Sequence, residues 1–140
     1  MAIDQAICTV FKADLMNTAS NLEAATLKMA LYTSSATLSQ TTTTYSATNE
    51  VPNSGTYAAG GKTLTNVGIS VSGNTAIFDC DNVSFTNATI SAQAAVIYNN
   101  SLANAAICVL DFGSVKSSSN GTFEVQIPPN TATEGLIRIQ

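Results

Sequence analysis

Asp79 and Asp81 flank Cys80, and Asn82 follows directly. Two carboxylates two residues apart project to one face of a strand. Such a pair can ligate calcium or work as acid and base. Calcium takes six or more oxygens, however, and no Dx[DN]xDG loop surrounds these residues. Asp111 follows a similar apolar run but lies far along the chain. The spacing therefore reads as solvated charge at a strand end. Asp79, Asp81 and Asn82 stand as weak candidate metal ligands, and no cofactor is expected.

Nucleophilic chemistry finds less support. The 140 residues include no histidine, so the usual serine and cysteine triads cannot be assembled. GxSxG, SxxK, GxGxxG and GxxxxGK[ST] do not occur. Ala59-Gly60-Gly61-Lys62-Thr63 carries only the closing letters of a phosphate-binding loop, before a strand rather than a helix. Cys8, Cys80 and Cys108 form no CxxC pair and sit in apolar contexts. They read as buried thiols, with a Cys80–Cys108 disulfide left open. The four tyrosines, Tyr32, Tyr45, Tyr57 and Tyr98, lie in different segments. They read as core or interface residues rather than as a sugar-stacking platform. A non-enzymatic protein is expected.

Composition removes further classes. The net charge is −4, and five scattered Lys and Arg residues offer no basic patch for phosphate, which argues against nucleic acid as a partner. No apolar run reaches the roughly 18 residues of a membrane span. The segment MAIDQAICTVFKADL has no basic stretch before an apolar one, unlike a secretory signal. Charged residues are 10% of the chain, against about 25% in ordinary soluble domains. Thr, Ser and Asn make up about a third of it. A surface of small polar groups suits close, lasting contact with other protein, and equally an ordinary extracellular-type β-domain.

Periodicity then supplies the elements. Cys8, Phe11, Leu15, Ala19 and Leu22 recur at spacings of three and four, which predicts a helix over about residues 4–18 with Asp4 as N-cap. After it the period becomes two. Thr26–Thr33 reads as a half-buried strand, and Ser34–Gly61 as a long polar loop with one edge strand. Further strands are expected at Lys62–Val71 (with Gly68 as a bulge), Thr75–Cys80 after a Ser72-Gly73-Asn74 turn, Val83–Phe85, Ile90–Tyr98 and Ala105–Phe112. Thr122–Ile127 follows a turn at Ser117–Gly121, and Gly135–Ile139 ends the series. The pattern predicts a mainly β, antiparallel sandwich or jelly-roll-like fold with one N-terminal helix, in one domain spanning 1–140.

Several phrases together carry a family resemblance. They are Leu27-Lys-Met-Ala-Leu-Tyr-Thr-Ser-Ser-Ala-Thr-Leu38, Thr41-Thr-Thr-Thr-Tyr-Ser-Ala-Thr-Asn-Glu-Val51, and Tyr57-Ala-Ala-Gly-Gly-Lys-Thr-Leu64. Ala94-Ala-Val-Ile-Tyr-Asn99, Val109-Leu-Asp-Phe-Gly-Ser114 and Asn120-Gly-Thr-Phe-Glu-Val125 complete the set. From about Phe11 onward the chain resembles small structural proteins encoded by tailed bacteriophages and prophages.

The resemblance implies a virion component without enzymatic activity, made in the bacterial host cytoplasm. The expected role is capsid decoration: an accessory (cement) subunit on the outer capsid surface that binds the major capsid protein and clamps neighbouring capsomers. Thr41, Thr42, Thr43, Tyr45, Asn49 and Tyr57 in the polar loop are the expected contact residues, together with the arm around Met1–Ile7. The loop is expected to reach a neighbour and order on binding. A closed homo-oligomer, a trimer, is expected from shell symmetry. The alternative is a tail- or neck-associated module that recognises host surface glycans through a groove of Tyr, Asp and Asn.

Overall fold

The computed structural model describes residues 2–131 and 133–140. The fold is mainly β with antiparallel sheets, and one short helix occurs among the described residues. β1 (Ala6–Ile7) precedes α1 (Thr9–Met16) and β2 (Leu27–Tyr32). Next come β3 (Lys62–Thr63), β4 (Gly68–Ser72), β5 (Thr75–Asp79), β6 (Val83–Asn99), β7 (Ala105–Val125) and β8 (Ile137–Ile139). One sheet has the order β1-β7-β6-β2-β3 and the other β4-β5-β8. Phe78 and Ile137 of the smaller sheet join Met29, Leu31, Phe85 and Ile97 of the larger in one buried cluster, so the two sheets form a sandwich.

The long β6–β7 pair is its spine. Val83, Phe85, Ala88, Ile90 and Ala92 are buried and alternate with polar residues at the surface, the signature of a strand with one wet face. From Ala94 to Asn99 every residue is buried, so both faces of the sheet are covered there. Ala88, Ala92, Ala94 and Ala95 are fully buried. Small side chains let covering layers approach closely, and a chain without Trp reaches interior density in this way.

β6 absorbs two expected strands, Val83–Phe85 and Ile90–Tyr98, and β7 absorbs two expected strands and the turn between them. The turn expected at Ser117–Gly121 does not form; β7 runs through it. Asn120 has φ 46° and Asn87 has φ 51°. The ladder changes register on both sides of the Ala88↔Gly121 pair that they flank. Asparagine tolerates the left-handed region, and here it makes bulges that bend a continuous ladder.

The helix is shorter than its period suggests. Ala6 and Ile7 pair with Val109 and Cys108, and the Asp4 N–H donates to Leu38 O. Backbone partners in the sheet and loop thus claim residues 4–7. Cys8, not Asp4, is the N-cap, and its side chain makes no capping bond. Thr18 in the left-handed region ends the helical path, so Leu22 is buried from outside the helix.

The strand expected over Lys62–Val71 is split between the sheets. β3 pairs with β2, and β4 pairs with β5. Asn66, at φ 52°, turns the chain between them. Gly68 opens β4 opposite Asp79 rather than forming a bulge. The β4–β5 hairpin turns at Gly73-Asn74 with Gly73 at φ 59°, as a two-residue turn with glycine first requires.

Candidate functional site

Glu50 is the one charged residue between Lys28 and Lys62. It organises the long loop. Its Oε1 accepts the Tyr45 hydroxyl at 2.5 Å. Its Oε2 accepts the Tyr57 hydroxyl at 2.6 Å and the Gly60 N–H at 2.8 Å. Tyr57 in turn accepts the Leu31 N–H at 2.9 Å. The Tyr98 hydroxyl donates to Gly60 O at 2.5 Å, and the Tyr32 hydroxyl donates to Ser46 O at 2.6 Å. Tyr45 stacks on Tyr98 with ring centroids 4.8 Å apart. Four tyrosines scattered in sequence therefore fasten residues 45–60 to β2 and β6. Burial, first of all, holds all four phenols protonated beyond the ordinary value of 10.0. The Glu50 hydrogen bonds reinforce this at Tyr45 and Tyr57.

Backbone bonds fasten the loop elsewhere. Leu38 exchanges bonds with Ala2 and Asp4, the Ala106 N–H donates to Thr43 O, the Val51 N–H to Leu31 O, and the Thr56 N–H to Thr86 O. Gly61 completes the attachment. At φ +83°, a Cβ there would lie 1.8 Å from Met29 O, so only glycine lets the loop join β3 this close to β2.

The loop is thus folded onto its own domain, which corrects the picture of a free segment that orders on contact. The expected contact residues separate. Thr41 and Thr43 are exposed. Asn49 is exposed, and its side-chain amide donates to Ser35 O. Thr42 is half-buried and its Oγ1 accepts the Ser39 N–H. Tyr45 is half-buried against Glu50 and Tyr98. Tyr57, 1% exposed, is an anchor and not a contact. In the N-terminal arm Met1 lies outside the described residues, and the rest is bonded to Leu38 and β7.

The carboxylate pair has other work. Asp81 Oδ2 accepts the Thr65 hydroxyl and the Asn66 side-chain amide, and its N–H donates to Thr65 O. Asn82 Oδ1 accepts the Ile127 N–H at 2.7 Å. β5 ends at Asp79, so the strand geometry that would align Asp79 with Asp81 stops between them. No group of three or more metal-binding side chains occurs among the described residues. The three cysteines are buried free thiols. Burial pushes Cys8 and Cys80 up to about 11, with Asp79 and Asp81 adding to the effect at Cys80. Burial likewise raises Cys108, followed by the neighbouring Cys8 and Cys80.

Two concavities among the described residues lie apart from these groups. One of about 460 Å³ lies between α1 and the smaller sheet, lined mainly by apolar groups such as Phe11, Leu15, Ile69 and Phe78. The other, of about 600 Å³, lies along β7 among Asp111, Phe112, Lys116, Phe123, Glu124 and Gln126. Sequence reasoning missed Glu50. Its isolation in an otherwise uncharged stretch that also carries Tyr45 and Tyr57 was the available signal.

The chain matches no protein-family model, no curated protein and no solved structure.

Proposed function

We propose that this protein is a non-enzymatic structural subunit of a tailed phage that binds the outer capsid surface and stabilises contacts between capsomers. One observation carries the reading. The loop from Ser34 to Gly61 is a fastened, hydroxyl-rich surface whose only charge, Glu50, is bonded inward. Permanent interfaces exclude charge from their centres. A surface ordered before contact avoids the ordering cost that weakens binding by mobile segments. The exposed Thr41 and Thr43 side chains meet the major capsid protein; the Thr41 hydroxyl shares a hydrogen bond with Ser39 Oγ, and the Ala106 N–H bond to Thr43 O fixes the backbone beneath them.

The test is co-sedimentation of purified protein with shells that lack it. Thr41→Glu with Thr43→Glu places two charges on the face without touching an anchor. Affinity should fall at least tenfold with the fold intact by circular dichroism. Unchanged binding would remove the loop from the interface.

The β7 groove favours a second reading, a tail- or neck-associated glycan receptor. Phe112 and Phe123, with centroids 6.2 Å apart, stand among carboxylate and amide groups, a combination suited to sugar rings and hydroxyls. Its aromatic lining is phenylalanine, the tyrosines being committed to fastening the loop through Glu50, Ser46 and Gly60. Saturable binding of host surface glycan, abolished by Phe112→Ala, would favour it over shell binding.

A further inference from the structure

We infer that β4 is a self-association edge, and that two copies of this chain pair antiparallel through Gly68–Ser72 about a two-fold axis. β4 is the outer strand of the smaller sheet. Folded proteins guard such edges with charge, proline, bulges or very short length. The other edges here follow that rule. β1 and β3 have two residues each, β8 has three and carries Arg138, and β7 beyond β1 is irregular and carries Asp111, Lys116 and Glu124. β4 has five residues, no charge, no proline and an unbroken register.

Its backbone is self-complementary. Ser72 and Thr75 flank a two-residue turn and form a hydrogen-bonded pair, as therefore do Ser70–Ile77 and Gly68–Asp79. The alternate residues, Ile69 and Val71, turn their N–H and C=O groups outward. A two-fold axis through Ser70 sets Ile69 opposite Val71 of the second copy, and Val71 opposite Ile69. Each pair exchanges two hydrogen bonds, so all four outward groups on each strand are satisfied. The same step brings together the side chains of Ile69, 43% exposed, and Val71, 74% exposed. Both lie on the face that carries Phe78 and Ile137. The pairing is isologous and closes as a dimer.

A five-residue edge buries less than the roughly 1,200 Å² of a standard interface, so the dimer is weak in solution. Its test must capture a weak state. Ser70, whose hydroxyl donates to the side chain of exposed Asn130 at 2.9 Å, gives in Ser70→Cys a thiol that meets its own copy across a non-hydrogen-bonded pair, where Cα atoms lie about 4.5 Å apart, within disulfide reach. The native cysteines are at most 6% exposed and do not compete. Under mild oxidation Ser70→Cys should become a linked dimer at least tenfold faster than Ser72→Cys, which faces position 68. Val71→Pro removes an outward N–H and no hairpin bond, and in the Ser70→Cys background it should cut linking at least tenfold. Circular dichroism of each variant verifies the sandwich. If Ser70→Cys stays monomeric, links no faster than Ser72→Cys, or links equally with Val71→Pro, the edge is not a self-association site. The inference is independent of shell binding, and either can fail alone.

Discussion

Tyr57 donates its hydroxyl to Glu50 Oε2 at 2.6 Å while accepting the Leu31 N–H at 2.9 Å. One phenol thus ties a loop carboxylate to the backbone of a central strand. Tyr57→Phe keeps the ring against Phe85, at 5.0 Å between centroids, but strands a buried N–H. Such a loss costs about 1–3 kcal/mol. Urea unfolding should show it as a lower midpoint with an unchanged slope.

Glu50→Ala removes the acceptor for Tyr45, Tyr57 and Gly60 together. Hydrogen bonds to a charged group contribute about 1.5–3 kcal/mol when buried. Glu50 is half-buried, so a total of about 2–3 kcal/mol is expected. The loop should open first, seen as faster amide exchange at 45–60 than in β6. Uniform exchange across both would contradict the anchoring role.

Gly61→Ala places a Cβ against Met29 O in a backbone conformation that disfavours it. A loss of about 2–4 kcal/mol is expected by chemical denaturation. A neutral result would mean that the loop approaches β2 differently.

The thiols and phenols set the alkaline limit. The unfolded chain releases thiol protons near 9.0 and phenol protons near 10.0. The folded chain holds Cys8 and Cys80 to about 11 and the phenols beyond their ordinary value. The native state therefore binds more protons in this range, and stability falls as pH rises. It should be fully present below pH 9 and erode between about 9 and 11. Denaturation midpoints at pH 8, 9.5 and 11 measure this, and a flat profile would contradict it. Below pH 9 the native thiols should resist alkylation, and all three should react after unfolding without reductant.

The sequence made the β class, the hairpin at Gly73-Asn74 and the absence of regular structure over Ser34–Gly61 legible, because alternation, turn residues and composition are local signals; the edge strand expected within that loop is reduced to isolated bridges. Long-range pairing decided the rest. Residues 4–7 have a helical spacing, yet β7 and Leu38 supply their backbone partners. Asn120 carries the local signal of a turn, and tertiary pairing uses it, with Asn87, for bulges. The tyrosines gather around Glu50 through contacts distant in sequence, such as that between Tyr98 and Gly60, 38 residues apart, and the stacking of Tyr45 on Tyr98. No periodicity encodes such contacts.

The most direct measurement of the proposed capsid role is the copy number of this chain relative to the major capsid protein in phage particles purified from a lysate that contains it. Capsid decoration predicts a ratio near one or a simple fraction such as one half or one third, determined by quantitative mass spectrometry. A few copies per particle, or none, would contradict it.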